Sequence, residues 1–77
     1  MDFRKATDAL FMRVGHEDLA KALSVSVALI RQARLGSSAE AHRSPPEDWK
    51  KAVLSLAETQ ELHYRRLAKR LRDELNN

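Results

Sequence analysis

The chain has 77 residues and no cysteine. Disulfides are therefore excluded, and thiolate metal sites with them. Breakers are scarce: there are two Gly and two Pro beside 43% hydrophobic and 32% charged residues. That balance suits a compact helical domain and argues against disorder. No apolar run approaches the roughly 20 residues that span a bilayer. Met1-Asp2-Phe3-Arg4-Lys5 lacks the apolar core of a secretory signal, so cytoplasmic residence is expected. Catalytic apparatus is missing too. The chain carries no nucleophile beside a base, no Gly-rich phosphate loop and no metal motif. His16, His42 and His63 lie far apart and share no ligand spacing. The expectation is a protein that is not an enzyme, holds no metal or cofactor, and binds no small-molecule ligand or membrane.

A domain of this size buries only about 60% of the surface its unfolded chain exposes. At the usual per-residue scale its stability is about 4 to 11 kcal/mol. With disulfides excluded and no metal motif, association with a second chain is the remaining support.

Net charge is +3, a weak bias towards polyanions. Its distribution is more telling. Residues 1–36 carry six basic and four acidic side chains, residues 37–60 three and four, and residues 61–77 five and three. The two ends are the basic parts.

Phe3, Ala6, Leu10, Phe11 and Val14 form one face of an amphipathic helix over residues 2–14, interrupted at Gly15. His16 to Leu23 reads as a second helix, with Leu19, Ala20 and Leu23 inward and Glu17 and Asp18 in the first turn. Acid there complements the helix dipole, which accounts for the pair better than acid–base catalysis does. Ser26 suits the N-cap of a third helix, running from about Val27 to Leu35 with Ile30 and Ala33 inward. Gly36 fits a left-handed stop after it.

Residues 37–44 are a polar connection. Ser44 and Glu47 have capping-box spacing, and Pro45 suits the first helical position, with Glu47 and Asp48 putting acid at that start. From there to Leu75 the chain has neither Gly nor Pro. Val53, Ala57, Gln60, Tyr64, Leu67 and Leu71 alternate spacings of four and three, a heptad seam that Gln60 interrupts. One helix over 45–75 is preferred to a bend near Glu58–Gln60. The whole predicts an all-α, compact helix-turn-helix domain of four to five helices, organised as a domain over 1–58 and a C-terminal helical extension over 59–77.

Two helices at 16–23 and 27–35 with a three-residue gap have helix-turn-helix spacing. The run Leu19-Ala20-x-x-Leu23-Ser24-Val25-Ser26-x-x-x-Ile30 resembles the core of lambda-repressor-like (XRE-type) helix-turn-helix domains. Their usual form is L-A-x-x-L-G-V-S-x-x-x-I, followed after five residues by Gly, where Gly36 stands here. Pro45-Pro46 and then Trp49, Val53, Leu56 and Ala57 resemble that family's fourth helix. The likeness covers about residues 10 to 58. Ser24 replaces the turn Gly, which requires a left-handed serine or an altered turn. Gly15 and His16 stand where Ser or Thr and then Gln are usual. The connection 37–44 is longer than the common one, and the last element is long and basic.

The resemblance implies a DNA-binding regulator whose third helix enters the major groove. It would place His16 near a phosphate or base, and Ser26, Val27 and Ala28 at the leading end of the recognition helix. Val27 and Ala28 would offer apolar contact to a thymine methyl, Arg31 would address guanine and Gln32 adenine. Arg34, Ser37, Ser38 and Arg43 would suit phosphates, which position rather than specify. The plain alternative for Arg31, Gln32 and Arg34 is a solvated helix face.

Tyr64, Leu67, Leu71 and Leu75 are expected to pack or dimerise, with Arg65, Arg66, Lys69, Arg70 and Arg72 on the remaining faces. The expected partners are double-stranded DNA bearing a pseudo-palindromic operator and a second copy of the chain. The rival expectation is a protein-interaction module, antiactivator or antitoxin-like, that binds a partner through its C-terminal helix. A DNA reader needs Arg31, Gln32 and Arg34 free; a protein binder would expose an apolar patch.

Overall fold

The computed structural model describes residues 1–76. Among these the protein is all-helical: four helices, the last much the longest. α1 spans Phe3–Leu10 and is capped by Asp2, whose carboxylate accepts from the Lys5 amide at 2.8 Å. Phe3, Ala6, Thr7 and Leu10 face inward. The buried Thr7 hydroxyl donates to the Phe3 carbonyl at 2.7 Å, so its burial leaves no polar group unpaired. The helix stops short of the predicted Val14. The Arg13 and Val14 amides both turn back to the Leu10 carbonyl, at 3.1 and 3.0 Å. Val14 still reaches the core through this turn.

α2 spans His16–Leu23, as its pattern predicts. The Gly15 amide donates to the Asp18 carboxylate at 3.3 Å, and Glu17 and Asp18 occupy the first turn. Ser24 ends the helix in the left-handed region, at φ 57° and ψ 42°. Its amide donates to Lys21 O at 3.1 Å and that of Val25 to Ala20 O at 2.9 Å. These are the two bonds of a Schellman close, built on serine where glycine is usual. α3 then spans Val27–Ala33. Ser26 caps it, accepting from the Leu29 amide at 3.1 Å.

Gly36 does not provide the left-handed stop expected of it: neither glycine has positive φ. The last carbonyls around α3 are satisfied otherwise. The Leu35 amide closes on Gln32 O, which also accepts from the Arg43 amide, both at 3.3 Å. The His42 ring Nδ1–H donates to Leu35 O at 2.9 Å, and Arg4 Nη1 donates to Arg34 O at 3.0 Å. With these partners the helix needs no glycine cap, and the connection 37–44 is folded back onto its end.

α4 spans Trp49–Leu75, 27 residues without interruption, or about 40 Å. The bend at Glu58–Gln60 does not occur. Its start corrects the expectation: the Ser44–Glu47 capping box does not form, and Asp48 is the N-cap residue. Pro45 precedes Pro46, and the ring of a proline pushes the preceding residue out of the helical region. The chain therefore turns first, with the Trp49 amide on Pro46 O at 3.2 Å. Glu47 and Asp48 precede the first turn rather than occupying it.

The core joins Phe3, Leu10, Val14, Leu19, Ala20, Leu23, Ile30 and Ala33. α4 adds Trp49, Ala52, Val53 and Leu56, partly buried against that cluster. The Phe3 and Trp49 rings meet edge to face, 5.2 Å between centroids at 84°, the geometry their quadrupoles favour. Packing on α4 stops at Gln60; from Glu61 to Asn76 every residue is exposed. The molecule is accordingly elongated, 58 × 20 × 18 Å. Among the described residues no helix is long and apolar enough to cross a membrane.

Candidate nucleic-acid interface

Ile30 and Ala33 anchor α3 inward, which leaves its opposite face outward. Ser26, Ala28 and Arg31 are exposed there, and Gln32 is half-buried. The Ser26 hydroxyl oxygen serves the cap, leaving its proton to donate outward. Ser37, Ser38 and Arg43 follow on the surface of the connection. Arg43 Nη1 donates to the His42 carbonyl at 2.9 Å. From Leu19 to Ala39 the chain has no acidic residue, so the exposed part of α3 carries positive charge alone. Arg31 offers a bidentate donor fork, Gln32 an amide, and Ala28 a methyl group: the side-chain chemistry that distinguishes base edges.

Three residues expected on this face sit differently. Val27 is half-buried and packs against the core, because the tight turn brings the first residue of α3 down beside Val25. Arg34 is held inward, with its side chain 18% exposed. Its Nη2 is paired with the Asp8 carboxylate, its Nη1 lies 3.2 Å from His16 Nε2, and its guanidinium stands over the Phe11 ring at 5.1 Å. Its buried Nε has no partner. Asp8 also accepts from Arg4 Nε at 3.2 Å, so one carboxylate holds the end of α3 to α1. Arg34 is thus a tertiary clamp, not a free phosphate ligand. His16 is half-buried and stacked on Phe11, 3.8 Å between centroids at 24°.

Arg34 can only donate, so His16 Nε2 accepts and the ring is neutral with its proton on Nδ1. The electrostatics agree. Burial, and then the charges of Arg34 and Arg31, push the His16 pKa below its ordinary 6.5. Asp8 and Phe11 complete this cluster; periodicity already puts Phe11 on the inner face of the first segment, but it does not single out Asp8. Asp8 stands on the polar face of α1, where only the tertiary fold brings Arg34 to it.

The C-terminal residues Tyr64, Leu67, Leu71 and Leu75 are 46%, 45%, 50% and 87% exposed. Within the chain, Arg13 stands over the Tyr64 ring at 5.8 Å. Nearer the core, Met1, Ala6, Ala9, Leu10, Arg13 and Val14 face α4 residues Val53, Ala57 and Gln60 across an open groove of about 340 Å³. No group of three or more His, Asp or Glu residues among the described ones stands close enough to hold a metal.

Compared with protein-family models, with curated proteins and with solved structures, the chain matches none.

Proposed function

We propose that the protein is a sequence-specific DNA-binding regulator of the helix-turn-helix kind that works as a homodimer. In this reading α3 enters the major groove. Arg31 and Gln32 address bases, and Ala28 meets a thymine methyl. Ser26, Ser37, Ser38 and Arg43 contact the backbone. The observation that carries the reading is the outer face of α3: free of acid, with Ala28 and Arg31 exposed and Gln32 half-buried beside Arg31. Phosphate contacts would supply affinity and a steep salt dependence. Val27, Arg34 and His16 take supporting roles, fixing the helix rather than touching DNA. Such a regulator acts in the cytoplasm, and repression of a neighbouring promoter or its own is the form the resemblance to lambda-repressor-like domains favours.

The test is a binding titration against DNA from around its own gene at two salt concentrations, with Arg31→Ala/Gln32→Ala as control. Loss of at least roughly fivefold to 150-fold in specific affinity is expected for the double variant, since one good bidentate pair discriminates by about 1–3 kcal/mol. Equal affinity for unrelated DNA, or none for any, would sink the reading.

A second reading, a protein-interaction module, is favoured by one observation: the uncovered apolar stripe from Tyr64 to Leu75. A partner helix of another protein would dock there, with the helix-turn-helix as scaffold.

A further inference from the structure

The groove between α1 and α4 is open because three residues that line it stop at Cβ. Ala6 and Ala9 on α1 and Ala57 on α4 stand where larger side chains would fill the space. The two helices run side by side in one direction: Phe3 meets Trp49 near their starts, and Arg13 meets Tyr64 further along. The groove therefore has ends of different character. Ala6, Ala9, Val53 and Ala57 give it an apolar floor, and Arg13 and Gln60 stand at the far end. From Ala6 to Arg13, and equally from Val53 to Gln60, the floor runs about 10 Å at a rise of about 1.5 Å per residue. Its volume of about 340 Å³ falls among small-molecule sites, which occupy about 300–1,000 Å³ and combine apolar walls with a few polar groups.

Charge decides what suits the far end. Arg13 is the one charged side chain lining the groove, and no acidic residue lines it. Arg4, Arg34, Arg65 and Arg70 each reach a carboxylate; among the described residues Arg13 reaches none. It is exposed and lies over the Tyr64 ring, 5.8 Å from the centroid. That contact holds the guanidinium in place without supplying it an acceptor. Its forked N–H donors match a carboxylate, which they bind bidentately, and Gln60 adds amide donors beside them.

We propose that the groove binds a medium-chain carboxylate, with its apolar chain along Ala6, Ala9, Val53 and Ala57 and its charged end on Arg13. C–C bonds of about 1.5 Å advance about 1.3 Å each in an extended zigzag, so about eight carbons cover the floor. Neither DNA nor the pairing of the chain with itself enters this inference. A chain that binds the carboxylate and no DNA would refute the regulator alone, and one that binds DNA and no carboxylate would refute the groove ligand alone.

The test is an NMR titration of the ¹⁵N-labelled chain with hexanoate, octanoate and decanoate, each below its micelle concentration, and with octanol and octyltrimethylammonium. Octanoate should fill one saturable site, with amide shifts concentrated at Ala6, Ala9, Arg13, Ala57 and Gln60. Affinity should rise by about twofold to fourfold per added CH₂ as far as octanoate and then level off, where the chain outruns the floor. Octanol should bind roughly fivefold more weakly, the most an exposed ion pair gives, and octyltrimethylammonium not measurably. Arg13→Gln should bring octanoate down to the affinity of octanol and leave octanol unchanged. Ala57→Leu fills the groove from an exposed position and should abolish binding of both, with helix content by circular dichroism unaltered. Ala9→Leu, also exposed, fills it from the other wall, so the test does not hang on one variant folding.

Octanol binding as tightly as octanoate, or an octanoate affinity untouched by Arg13→Gln, would overturn the carboxylate. Affinity still climbing from octanoate to decanoate would overturn the length of the site. Shifts confined to the leucine ridge from Leu67 to Leu75, an absence of saturation, or full binding by a folded Ala57→Leu or Ala9→Leu protein would overturn the groove.

Discussion

Replacing Ser24 by Gly should stabilise the protein. Ser24 sits at φ 57° and ψ 42°, the one non-glycine residue with positive φ among those described. A side chain in that region costs about 1–2 kcal/mol, because Cβ crowds the following carbonyl. Glycine removes the clash but brings about 0.5–1 kcal/mol of extra chain entropy to be lost on folding. Ser24 is exposed, so little packing goes with it. The balance is a gain of about 0.5–1 kcal/mol. For a domain this size each kcal/mol moves Tm by roughly 4–8 °C, so thermal unfolding followed by circular dichroism should show a rise of about 2–8 °C. Ser24→Ala keeps the Cβ and should move Tm little. Ser24→Val adds β-branching in a region where such residues are outliers and should lower it by several degrees. A Gly variant no more stable than the parent, beside a neutral Val variant, would refute the strain argument.

The Arg34 clamp makes a second prediction. Arg34→Ala leaves Asp8 and His16 without their shared partner and should cost about 1–3 kcal/mol, read as a lower urea midpoint. Arg34→Lys should recover little of this, since a point charge cannot bond both groups and cover Phe11. A loss below about 0.3 kcal/mol would mean the cluster is idle. Ile30, 1% exposed, should cost about 2–5 kcal/mol on truncation to Ala, a large share of the total; the same urea series tests it. Stability should also fall in acid through His16. Its pKa is lowered in the fold, so the unfolded chain binds the proton more tightly. The His16 contribution is therefore complete above pH 6.5 and is lost as pH falls through the depressed folded value. Unfolding midpoints measured from pH 8 to 5 should show this slope, and it should shrink in His16→Gln.

The parts of the fold that read correctly from sequence are those where a local rule and the tertiary packing agree. α2 has its acid turn and inner stripe, Ser26 has a cap to make, and α4 has no residue that could break it. The misreadings arise where two local rules compete or where a contact spans the chain. At Pro45-Pro46 the preference of proline for the first helical position loses to the restriction it places on its predecessor, and α4 begins at Trp49. Gly36 fits a stop that long-range bonds from Arg4, His42 and Arg43 make unnecessary. Arg34 reads as a surface cation because nothing in its neighbourhood names Asp8, which lies on α1. On the candidate interface, the exposed Ala28 and Arg31 follow from helical periodicity. The inward turn of Val27 depends on how closely the two helices approach.

The unbroken α4 gives the molecule the mechanics of a lever. Its head is embedded in the core at Trp49 to Leu56 and its handle is free beyond Gln60, with no glycine or proline between them to act as a joint. Whatever grips the handle therefore sets the orientation of the head. One residue inserted after Gln60 would leave the core packed, yet would swing the leucine ridge by about 100° and advance it about 1.5 Å. Such a chain would fold normally and grip in the wrong direction. Torsional phase along α4, rather than the strength of any single contact, is what selection or redesign would have to preserve.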